Sequence, residues 1–95
     1  MKYKILATST AKKETEDAVF YYESVSSGLG LAFLKEIENR YASISKNPFA
    51  YGYVDNKNLM RDVLVKRFPF VIIYKIESDT VVILSVHHTH KEPEY

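Results

Sequence analysis

The chain has 95 residues, of which 46% are hydrophobic and 26% charged, with a formal net charge of +1. That length suits one domain spanning 1 to 95 and is too short for two independent cores. A near-neutral balance gives no global attraction to nucleic acid, so any anion binding must come from a local cluster, and with no cysteine disulfides and thiolate metal sites are excluded.

The N-terminal stretch MKYKILATSTA holds an apolar run of only three residues, too short for a secretory h-region, so the cytoplasm is the expected compartment. No stretch approaches the roughly 20 apolar residues a membrane span requires. Lys2 to Thr8 alternates with Tyr3, Ile5 and Ala7 on one side, the pattern of a first strand. Ser9 or Thr10 then caps a helix. Its apolar stripe runs through Ala11, Thr15, Ala18, Tyr22 and Val25 at helical spacing. Ser26-Ser27-Gly28 breaks it, since glycine readily adopts the left-handed conformation of a helix end.

A second helix over 29 to 45 buries Phe33, Leu34, Ile37, Tyr41 and Ile44, with Lys35, Glu36, Glu38 and Arg40 mostly outside. Two amphipathic helices with so short a link form an antiparallel hairpin. Asn47-Pro48 ends the second helix, and residues 48 to 58 read as an aromatic-rich loop. Three strands follow, over 59 to 68, 70 to 76 and 80 to 88. The last two, joined by Glu77-Ser78-Asp79, are apolar on both faces and therefore central. The order β-α-α-β-β-β defines an α+β domain, an antiparallel sheet covered on one side by a helical hairpin.

Polar candidates lie mainly in the second half. Lys57, Arg61, Lys66 and Arg67 make a basic stretch opposed by Asp62. Arg61 and Arg67 suit bidentate phosphate contacts, although charges on a strand also discourage edge pairing. In VHHTHKEPEY, His88 and His90 share one strand face and His87 takes the other. A zinc site would need a further ligand from Glu92 or Glu94, so a solvated rim or a proton-handling His88 is the better reading. Tyr3, Tyr51, Tyr53 and Tyr95 offer rings for base stacking, whereas Tyr74 alternates with Phe70, Ile72 and Ile76 as a core residue.

Several of these strings together resemble the RelE/ParE toxins of type II toxin–antitoxin (plasmid stabilisation) modules. On the helical half they are Ala18, Tyr21, Tyr22, the Gly28-Leu29-Gly30 link, Phe33, Leu34, Ile37, Asn47 and Pro48. On the sheet half they are Phe68, Pro69, Phe70, Ile72, Tyr74, His88, Lys91 and Pro93. The resemblance covers nearly the whole chain. It implies a growth-inhibiting toxin with no cofactor and no membrane partner, neutralised by a cognate antitoxin and touching DNA only through that complex.

Two targets follow from it. RelE-like members are ribosome-dependent, metal-independent mRNA endonucleases that hold phosphate with arginine and lysine. Here that role implicates Arg61, Lys66, Arg67 and Lys91, with His88 and Tyr95 as the catalytic acid or base. ParE-like members include poisons of DNA gyrase with no nuclease chemistry of their own, and the His88-x-x-Lys91-x-Pro93 ending is similar to theirs. Val71 and Thr89 stand where the endonucleases carry arginines. Losing fixed cations weakens stabilisation of the charge that develops on phosphate. The expected reading is therefore a ParE-like gyrase inhibitor, with an mRNA interferase or a degenerate inactive toxin as alternatives.

Overall fold

The computed structural model describes residues 2–90. Strand β1 (Lys4–Ala7) leads directly into helix α1 (Ser9–Val25), and the cap is Thr8 rather than Ser9 or Thr10. Its Oγ1 accepts from the Ala11 N–H and donates to the Leu84 carbonyl, so one side chain both starts the helix and ties it to the sheet. Ala11 and Ala18 are buried along the expected stripe, but Val25 is exposed, being the final residue of α1 where the chain turns away.

The turn into helix α2 (Leu29–Lys46) depends on two glycines with different duties. Gly28 adopts φ 87°, a left-handed conformation that favours glycine. Gly30 is there for space: a Cβ at that position would lie 2.6 Å from the Val19 carbonyl oxygen. Glu23 completes the link by accepting from the Gly28 and Gly30 N–H groups at 2.9 and 3.0 Å, satisfying donors that a helix start leaves orphaned.

The segment read as a loop contains more order than expected. A single 3-10 turn, Pro48–Ala50, is followed by a short strand β2 (Tyr53–Asp55). Strand β3 is confined to Met60–Leu64, and β4 (Phe70–Glu77) and β5 (Thr80–His88) form the long central hairpin. The sheet order is β1-β5-β4-β3-β2. All neighbours pair antiparallel except β1, which runs parallel to β5, so the sheet is mixed and has five strands. The helical hairpin covers one side. Phe33, Ile37 and Ile44 from α2 meet Ile72, Tyr74, Val81, Ile83 and Val86 in one core. Tyr74 is fully buried, as its alternation implied, and its hydroxyl donates to the Pro48 carbonyl at 2.6 Å.

Candidate functional site

β1 pairs only with Thr80 to Ile83, so among the described residues the far half of β5 has no strand neighbour on that side. The helix α1 fills the gap. Glu14 Oε1 accepts from the Val86 N–H at 2.9 Å and from the Ser85 hydroxyl at 2.8 Å. Ser85 Oγ also lies 2.9 Å from His87 Nδ1. A hydroxyl has one proton; with it given to the carboxylate, His87 Nδ1 carries the hydrogen that reaches Oγ. Ser85 is fully buried and sits between acid and imidazole, which makes it a connector and not a nucleophile. A register shift in β5, where Tyr74 pairs with Ile83 but Ile73 with Ser85, turns this end of the strand to meet Glu14.

The same end of the sheet carries the β3–β4 connection. The Val65 N–H donates to the Phe70 carbonyl and the Thr89 N–H to the Pro69 carbonyl, holding the connection against the end of β5. Phe68 and Phe70 pack edge-on to Phe33 at 5.1 and 4.9 Å, so these residues of the resemblance are packing residues. His88 pairs with Phe70 in register and lies edge-on to its ring at 5.5 Å. His90 belongs to a turn and not to the strand; its backbone N–H donates to His88 Nδ1 at 3.1 Å. Nδ1 is therefore an acceptor, and neutral His88 carries its proton on Nε2. His87 is buried, whereas His88 is half-buried and His90 exposed. Among the described residues, no three histidine, cysteine or carboxylate side chains stand close enough to hold a metal ion.

Among the described residues, the candidate basic side chains have different surroundings. Arg61 Nη1 donates to the Tyr51 carbonyl at 2.5 Å, and the guanidinium lies 4.1 Å from the Tyr53 ring centroid and 5.4 Å from that of Phe49. That is a clamp holding the aromatic segment to the edge of the sheet. Arg67 is exposed, with φ 74° and its guanidinium 5.7 Å from the Phe68 ring. Lys66 is exposed on the side facing α2, beside Glu36, Asn39, Arg40 and Ser43. Lys91 and Tyr95, with Pro93, lie outside the described residues. Sequence reasoning passed over Glu14, Ser85 and Arg40; Glu14 and Ser85 are separated by 71 positions, and no local spacing links them.

This α+β arrangement has solved counterparts. The chain superimposes on a chain of the chromosomal ParDE toxin–antitoxin system from P. aeruginosa with a TM-score of 0.80 and 13% identity, covering 92% of this chain and 96% of that one. A chain of the toxin–antitoxin complex RelBE2 from Mycobacterium tuberculosis gives a TM-score of 0.66 at 18% identity, covering 93% and 99%. At those identities the likeness establishes a shared fold.

The sequence carries the more particular assignment. Residues 5–93 match the family model described as ParE toxin of type II toxin-antitoxin system, parDE, and the chain belongs to that family. No curated protein matches it in sequence. No helix among the described residues is long and apolar enough to cross a membrane.

Proposed function

We propose that this ParE-family toxin is held inactive in the cytoplasm by a small cognate antitoxin and, once released, arrests growth by contacting DNA gyrase rather than by cutting RNA. The observation that carries the target reading is the commitment of Arg61. Phosphodiester cleavage needs cations free to meet developing charge, and this guanidinium already serves a backbone carbonyl and two rings. Val71, standing where the endonucleases resembled here carry an arginine, is buried and apolar. Without those cations the end of the sheet is a binding surface.

The helical hairpin supports the antitoxin reading. Phe20 and Leu31 are 74% and 68% exposed on α1 and α2, an apolar surface that suits a helical partner segment. Phe49 and Tyr53 are also exposed, but their rings already clamp Arg61.

One observation favours the interferase alternative: with Nδ1 accepting from the His90 N–H, neutral His88 carries its hydrogen on Nε2, which suits a hydrogen bond to an oxygen on which charge develops. In that reading Lys66, Arg67 and Lys91 hold phosphate, and His88 or Tyr95 is the acid or base. A supercoiling assay with purified gyrase, plasmid DNA and either the natural protein or His88→Phe separates the two. A surface inhibitor blocks supercoiling in both forms. If gyrase is unaffected and His88→Phe abolishes cleavage of ribosome-bound mRNA, the gyrase reading fails.

A further inference from the structure

Glu36, Asn39, Arg40 and Ser43 recur at three- and four-residue spacing and therefore share one face of α2. Opposite them stands Lys66 from the β3–β4 connection, and the five residues line a hollow of about 320 Å³. Arg40 is partly buried, and its Nε is the one buried side-chain nitrogen or oxygen without a hydrogen-bond partner among the described residues. A guanidinium is always charged, and an enclosed N–H without an acceptor is costly. Glu36 lies one turn away, yet the ion pairs among the described residues join Lys4 to Asp79, Lys13 to Asp17 and Lys75 to Glu77. Neither Arg40 nor Lys66 takes part in one.

We propose that this hollow is an anion site for a phosphodiester group of a nucleic-acid backbone, with Arg40 and Lys66 as the cations and Ser43 and Asn39 as neutral donors. Such donors are the ones that meet phosphate oxygens in nucleic-acid complexes, and with Nε itself enclosed it is the terminal Nη groups of Arg40 that would meet the anion. Glu36 sets the charge the site tolerates. Two cations and one carboxylate leave a net single positive charge, which a phosphodiester balances and a phosphate dianion exceeds. The next residue, Arg67, is also exposed, and a further cation adjoining Lys66 in the chain suits a run of phosphates better than an isolated carboxylate from an acidic peptide. The inference does not rest on the gyrase reading: a protein that inhibits gyrase by surface contact either has this site or lacks it.

The test is an NMR titration of the purified full chain, following the Arg40 Nε–Hε resonance. The probes are a short thymidine oligonucleotide, inorganic phosphate and a polyglutamate peptide. The oligonucleotide is expected to move that resonance, and Lys66→Ala to lower the salt dependence of binding by about one counterion. Arg40→Gln should weaken binding about tenfold, and Glu36→Gln should tighten it. An Arg40 resonance unmoved by the oligonucleotide overturns the proposal, as does equal or better binding of phosphate or polyglutamate. Glu36→Gln keeps the test decisive if Arg40→Gln fails to fold, because removing the carboxylate must strengthen the site.

Discussion

Arg61 and Arg40 carry the same charged group, and both are partly buried, yet the chain treats them in opposite ways. Arg61 rises from a strand beside an irregular segment that has a backbone carbonyl and two aromatic rings to offer, and it uses all three. Arg40 rises from the middle of α2, where the helix's own ladder occupies the neighbouring carbonyls, and it finds no acceptor for Nε. What surrounds a cation decides whether it is scaffold or is left for a ligand. The basic stretch offered Arg61, Lys66 and Arg67 as phosphate contacts; in the fold Arg61 is engaged by the Tyr51 carbonyl and two rings, while Arg40, outside that stretch, has no partner for Nε.

The largest effect should come from breaking the clamp. Arg61→Leu removes a hydrogen bond from a charged donor and the ring contacts, and should lower unfolding stability by about 2 kcal/mol in a urea titration. A loss below a few tenths would show that the aromatic segment is held some other way. Tyr74→Phe loosens the same segment less directly. It leaves the Pro48 carbonyl without its buried donor and should cost about 1.5 kcal/mol.

That tyrosine also gives the clamp a pH signature. Burial pushes Tyr74 and Tyr41 up to about 12 from the usual 10.0. Because the folded value is the raised one, the associated stability is complete below pH 10 and is lost as pH rises towards 12. In an ultraviolet titration, these two of the eight tyrosines should ionise last, and Tyr74→Phe should remove one of the late transitions.

The Arg40 side of the comparison predicts the opposite sign. Arg40→Leu removes an enclosed donor with no partner, so stability should hold steady or rise by up to about 1 kcal/mol. A loss as large as that of Arg61→Leu would erase the distinction between the two arginines. Lys66→Ala, an exposed change outside the ion pairs among the described residues, should stay within about 0.5 kcal/mol, confining its effect to anion binding.

Periodicity made the helical hairpin and the β4–β5 hairpin legible, because Ile37, Ile44, Ile72 and Tyr74 each recur at the spacing of one face. β2 was hidden because its pairing is short and Tyr53 and Val54 face solvent, leaving no alternation to read. The parallel pairing of β1 with β5 joins opposite ends of the chain, which no local pattern reports. The same distance concealed the Glu14–Ser85–His87 connection, which also needs the irregularity in β5. At the link between helices Gly28 was readable as a break, but the role of Glu23 in binding its N–H required the folded turn. His88 was found by residue type; its tautomer depends on the turn that brings the His90 N–H to Nδ1.

The most direct test of the account is a pulse-labelling time course after inducing the toxin in a bacterial host without antitoxin, following thymidine and amino-acid incorporation in parallel. A toxin that contacts gyrase stops thymidine incorporation first while translation continues, and Arg61→Lys leaves that order unchanged. If amino-acid incorporation stops first, the target is the ribosome or its mRNA, and the binding-surface reading of this sheet is wrong.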